Sequence, residues 1–192
     1  LKSLVDRGLT GVRLVVSDDH AGLGKARKAV FSEALWQRCQ FHFAQNAQHY
    51  APKRTMKDEI AQAVRDVFAC SSIEDARIKV KQLVKKYTLS APDFATWLEE
   101  NIEQCFTVYS FPRNHWVKIR TSNAMENVNR QIKRRTSVAC IFPNIESCLR
   151  LVSALLAEIH EDWLSETALY LDMKIFKHSR GRDLQIYRKK VA

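Results

Sequence analysis

Three short stretches hold residue types whose spacing could do chemistry. Asp18 and Asp19 directly follow an apolar, β-branched run, VRLVV at residues 12–16. Ligand groups in α/β proteins gather at the carboxyl ends of strands, where a carboxylate can reach a metal without disturbing the core. Ser17, Asp18 or Asp19 would equally serve as the cap of the helix read at residues 22–31. Cys39 and His42, in CQFH, have the spacing of a zinc half-site. No second Cys and His pair of matching spacing accompanies them, and a buried thiol beside a hydrogen-bonded imidazole accounts for them as well.

The third stretch is residues 113–137, where Glu126 is the single acid among seven cations: Arg113, Lys118, Arg120, Arg130, Lys133, Arg134 and Arg135. Asn123 and Glu126 have capping-box spacing, and Arg130 lies four residues on, a helical pair worth about 0.2–0.5 kcal/mol. Neither role accounts for the density of Asn123, Asn127, Asn129, Arg130, Lys133, Arg134 and Arg135, expected on both sides of the helix around one carboxylate. A carboxylate ringed by phosphate binders suits a magnesium site working on a nucleic-acid backbone, with oxygen ligands holding the cation and side-chain cations holding the strand. Trp116, in RNHWVKIR, could stack on a base or sugar. Trp97 instead lies on an apolar helical stripe and reads as core.

The 192 residues are 46% hydrophobic, enough to bury a substantial core. Formal net charge is +10 and the sequence pI near 9.5, which points to polyanionic partners. The excess sits in two blocks, residues 113–137 and a basic tail at 176–192. Five scattered cysteines, never in CxxC, argue against a disulfide framework and for a reducing compartment. No run approaches the roughly 18–20 apolar residues of a membrane span, and no secretory signal is expected.

The elements that must position these residues begin as β, α, β: a strand at residues 12–16, buried on both faces, a helix at 22–31, and a strand within 35–43 passing into a helix near His42. Helical stripes follow. Met56, Ile60, Ala61, Val64, Val67 and Phe68 mark one; Ala76, Val80, Leu83, Val84 and Tyr87 a second; Phe94, Trp97, Leu98, Ile102, Cys105 and Phe106 a third. Ser71 with Glu74 and Pro92 with Asp93 signal starts. HWVKI reads as a short extended piece. A long helix after Pro143 and Asn144 carries Ile145, Cys148, Leu149, Val152, Leu155, Leu156, Ile159 and Trp163 on one face. The organisation expected is a partial α/β core (1–50), an all-helical insertion (51–112), a Glu-bearing helix with a long helix (113–175) and the basic tail (176–192), predominantly helical overall.

VVSDDHAGL, the CQFH after it, and RTSNAMENVNRQIKRRTSVACIFPN together resemble the Mutator superfamily of transposases, in its bacterial insertion-sequence branch. The resemblance spans nearly the whole chain in the right order. It implies an RNase H-like core with a helical insertion before the last acid, and a metal site of two Asp and one Glu. Asp18 matches the second acid and Glu126 the third; Cys39 and His42 match the family's C-x-x-H motif, in a supporting role. The first Asp is expected upstream of Leu1, so the chain alone is expected to be inactive. Also implied are Mg²⁺ or Mn²⁺, transposon-end and target DNA as partners, a homo-oligomer, no membrane, and a cytoplasmic, nucleoid-associated location. The cleavage implied is metal-dependent hydrolysis and strand transfer, with Trp116, Arg120, Asn123, Asn127, Arg130, Lys133, Arg134 and Arg135 on the DNA. A non-catalytic nucleic-acid-binding relic and a zinc-stabilised interaction module are the alternatives.

Overall fold

The computed structural model describes residues 1–165 and Leu171; the basic tail read at 176–192 lies outside them. The chain divides into two compact units, one beginning at Leu1 and running to Thr121, the other beginning at Ser122.

The first unit opens with a short helix, α1 (Lys2–Asp6), stopped where Gly8 takes a φ of +96° that a side chain would strain. Strand β1 (Leu14–Ser17), helix α2 (Ala21–Val30) and strand β2 (Leu35–Arg38) form a β-α-β unit with parallel strands, as the sequence pattern predicts. Leu14 pairs with Leu35 and Ser17 with Arg38. The expectation of a strand buried on both faces does not hold for β1. Each of its four residues is half-exposed, because in the described residues the sheet has two strands and β1 has a single neighbour.

Four helices follow: α3 (Gln40–Ala47), α4 (Lys57–Phe68), α5 (Ile73–Tyr87) and α6 (Pro92–Asn101). α3 begins at Gln40, two residues ahead of the start expected near His42. The apolar stripes converge as predicted, with Phe43, Ile60, Val64, Val67, Tyr87, Phe94 and Leu98 each at most 1% exposed in one core. Phe43 stacks on Trp97 at 4.5 Å, which confirms Trp97 as a packing residue. The cap of α5 is Ser72, not Ser71. Its Oγ accepts from the Asp75 N–H at 3.0 Å and donates to the Asp75 carboxylate at 2.7 Å, so the side-chain cap sits one residue later than expected.

Two 3-10 turns, Ile102–Cys105 and Thr107–Ser110, clamp the sheet to this helical core. Fully buried Gln37 donates from Nε2 to the Cys105 carbonyl at 2.9 Å and accepts from the Val108 N–H at 2.7 Å. The Thr107 hydroxyl donates to the Trp36 carbonyl at 2.6 Å. HWVKI is helical rather than extended: a 3-10 turn, Arg113–His115, runs into α7 (Trp116–Ile119). The Trp116 indole reaches back to the Phe111 carbonyl at 2.6 Å and His115 is buried, so local bonds and packing outweigh β-branched propensity.

The second unit is a pair of helices, α8 (Asn123–Ala139) and α9 (Ile145–Ser165), meeting at Val128, Ile132, Leu155 and Ile159. Asn144 caps α9 by accepting from the Ser147 N–H at 2.8 Å. The long apolar face of α9 is real but only partly covered, with Ile145 and Leu149 exposed. No helix among the described residues is long and apolar enough to cross a membrane.

Candidate active site

Parallel register decides what meets at the end of the sheet. Ser17 lies beside Arg38, so the next residues, Asp18 and Cys39, leave the carboxyl ends of β1 and β2 together, and the Cys39 N–H donates to the Ser17 carbonyl at 2.8 Å. Cys39 is also the N-cap of α3, which places His42 in the helix's first turn, above it. A C-x-x-H spacing across a helix start therefore brings thiol and imidazole to one side. Asp18, Cys39 and His42 offer ligand atoms that all lie within 4.8 Å of one another. His42 Nδ1 contacts the Asp18 carboxylate directly. The cluster is graded in depth: Cys39 is fully buried, His42 is 26% exposed and Asp18 is 56% exposed.

Asp19 faces a different partner. Its carboxylate pairs with Arg38 Nη1 at 3.1 Å, and Arg38 is 4% exposed. The same nitrogen donates to Gln104 Oε1 at 3.0 Å, and the guanidinium lies 5.0 Å from the Phe43 ring and 5.8 Å from the Trp97 ring. Asp19 is thus tied to the helical core while Asp18 remains at the surface. Neither caps α2. His20 does so, its Nδ1 accepting from the Leu23 N–H at 3.3 Å, which corrects the expectation of a Ser17, Asp18 or Asp19 cap. The first turn of α3 is held from below by α7, where the Gln40 N–H donates to the Arg120 carbonyl at 3.0 Å. Arg120 is half-buried. Trp116 is half-buried too, edge-on to Tyr109 at 4.8 Å, with Arg113 over its ring.

In the second unit, Glu126 sits in the first turn of α8 and accepts from the Ser122 hydroxyl. Ser122, not Asn123, is the N-cap residue, so the capping position expected at Asn123 moves back by one. An acid in a helix's first turn is favoured by the macrodipole. Asn123, Asn127, Arg130 and Arg134 recur at i, i+4, i+7 and i+11, and Lys133 lies seven residues after Glu126, so all share the Glu126 side of α8. Val128 and Ile132 turn the opposite side to α9. Asn123, Asn127, Arg130, Lys133, Arg134 and Arg135 are all exposed, Arg135 on the flank beside Val128.

A family-wide sequence profile described as "Transposase, Mutator family" matches residues 1–166. The chain belongs to the Mutator family of transposases. It is 44% identical over 165 residues to the transposase for insertion sequence element IS406 of Burkholderia multivorans, covering 86% of this chain and 42% of that relative. It is 43% identical over 173 residues to the ISRM5 transposase of Rhizobium meliloti, covering 90% and 43%. Against the IS256 transposase in transposon Tn4001 of Staphylococcus aureus, identity is 33% over 172 residues, covering 88% and 43%. This Mutator-family chain therefore spans about two fifths of the length of the curated relatives it matches.

Sequence reasoning missed Arg38. Its partners Gln104 and Trp97 lie far off in the chain, so nothing in the local stretch marks it. Two more groups near the Mutator-family sheet have shifted acidities. Burial pushes the Cys105 thiol well up, keeping it protonated, and burial pushes the Tyr109 phenol up to about 12.

Proposed function

We propose that the chain is part of a transposase catalytic domain, acting in DNA transposition by metal-dependent cleavage of element ends and joining to target DNA. The observation that carries this is Asp18: an exposed carboxylate at the carboxyl ends of parallel strands, relieved of capping by His20 and separated from the Asp19–Arg38 ion pair. Family membership supports a role in DNA transposition, and the β-α-β unit is compatible with the RNase H-like core of this reading.

Asp18 and Glu126 offer the hard oxygen donors that Mg²⁺ or Mn²⁺ requires. Such a cation would supply Lewis-acid stabilisation of a phosphoryl oxygen and an activated hydroxyl nucleophile. The chain's own residues do the rest. Arg38 and His42 orient the two adjacent aspartates, and the Ser122 hydroxyl orients Glu126. Asn123, Asn127, Arg130, Lys133, Arg134 and Arg135 hold the phosphate backbone along α8; in the first unit Trp116 of α7 and Arg120 just after it are further DNA contacts. The whole enzyme would act as a homo-oligomer on transposon ends and target DNA. By this reading the chain contributes two of three acids and does not cleave alone.

A chimera joining this chain to the N-terminal part of the IS406 relative tests the function by mobilisation of a marked element in cells. Transposition is expected, and Asp18→Asn or Glu126→Gln should abolish it. Transposition persisting in both variants, or a chimera that binds element ends and moves nothing, would overturn the proposal; the second outcome favours the non-catalytic relic.

A further inference from the structure

We propose that Asp18, Cys39 and His42 form a three-donor site for a borderline divalent cation of the Zn²⁺ class, open to solvent at its fourth position. Three features of the cluster carry this. The donors are a sulfur, a nitrogen and an oxygen, a set that suits Zn²⁺ and its spectroscopic surrogate Co²⁺ and is foreign to Mg²⁺, which takes oxygen ligands. Their ligand atoms already lie within 4.8 Å of one another. Donors about 2.0–2.3 Å from a tetrahedral ion stand roughly 3.2–3.8 Å apart, so the donors need shift by only about an ångström, with the Asp18–His42 contact opening to admit the ion.

The third feature is access. Cys39 forms the floor at the N-cap of an eight-residue helix. His42 forms the wall, and Asp18, more than half exposed, forms the mouth. The backbone holds the donors in place: the Cys39 N–H is bonded to Ser17 and the Gln40 N–H to Arg120. A three-ligand shell with one open position is the arrangement that leaves room for water or a substrate oxygen. The C-x-x-H pair then contributes ligands of its own rather than only supporting Asp18. The site shares Asp18 with the proposed catalytic reading, yet its test needs neither DNA nor Glu126.

Titration of the intact chain with Co²⁺ under reducing conditions, followed by visible and near-ultraviolet absorption, reads it out. Expected are one equivalent of tetrahedral Co²⁺ with a thiolate-to-cobalt charge-transfer band, bleached by Zn²⁺ and resistant to excess Mg²⁺. Cys39→Ser should remove the band. Asp18→Asn and His42→Ala, at positions open to solvent, should keep the fold by circular dichroism and weaken Co²⁺ binding about tenfold or more. Glu126→Gln should leave the spectrum unchanged, so loss of cleavage in that variant with an intact spectrum separates the two readings. Absence of a charge-transfer band, its survival in Cys39→Ser, or displacement of Co²⁺ by Mg²⁺ at comparable concentration would overturn the site and leave His42 as a hydrogen-bonding partner of Asp18.

Discussion

Arg38 joins the acidic loop to the helical core, and its removal has a cost that the contacts bound. Arg38→Ala deletes a charge-assisted bond to Gln104, of about 1.5–3 kcal/mol, and stacking on Phe43 and Trp97, of about 0.5–2 kcal/mol. The pair with half-exposed Asp19 adds little, about 0–1 kcal/mol, because solvent screens it. Arg38→Ala should therefore destabilise the first unit by about 3 kcal/mol, or roughly 6–12 °C in melting temperature for a chain of this size. Arg38→Met forfeits the same guanidinium contacts but refills most of the volume that alanine leaves empty, so its stability should lie between those of Arg38→Ala and the parent. Both variants should release Asp19 equally. Urea unfolding followed by far-ultraviolet circular dichroism measures the difference. Arg38→Ala as stable as the parent would show that the guanidinium is not anchored as described. Arg38→Met as unstable as Arg38→Ala would show that charge, not packing, dominates.

Two further outcomes follow from other parts of the chain. If Arg134 contacts a phosphate, Arg134→Ala should weaken DNA binding similarly across sequences and flatten the slope of log affinity against log salt by about 0.9, read by fluorescence anisotropy over a salt series; an unchanged slope removes Arg134 from the interface. Tyr109 is a neutral phenol whose folded value lies near 12, above that of an unfolded tyrosine near 10. The folded state keeps a proton that the unfolded chain loses in that window, so the stabilisation is complete below about pH 10 and is lost as pH rises towards 12. Alkaline unfolding of Tyr109→Phe should show a shallower loss of stability over that range than the parent.

Much of the fold was legible because burial repeats at helical spacing. The stripes on α4, α5 and α6 predicted most of the core, though Leu83, Val84 and Trp97 are only partly buried and Phe43, Ala44 and Ala47 of α3 were not among them; Pro92 at the first position of α6 marked its start. Two starts slipped by one, Ser72 for Ser71 and Ser122 for Asn123, since adjacent polar residues offer competing N-cap positions; Ser72 caps through its side chain, whereas the Ser122 hydroxyl bonds the Glu126 carboxylate instead. HWVKI misled because its β-branched residues suggest strand while His115 burial and the Trp116 indole bond fix a helix. Asp18 and the Cys39 and His42 pair could each be singled out in the sequence, but only as separate features; their closeness depends on the parallel register of β1 and β2. Arg38 was illegible as a function because its partners Asp19, Gln104, Phe43 and Trp97 are brought together by tertiary structure.

The most direct test of the central claim is Mg²⁺-dependent nicking of element-end DNA by the purified chimera, measured as single-turnover rates. Loss of a cation ligand forfeits several kcal/mol of transition-state stabilisation, so Asp18→Asn and Glu126→Gln should each slow cleavage on the order of 10³-fold or more with DNA binding retained. Cleavage at the parent rate in either variant would contradict the assignment of these two carboxylates to the reaction.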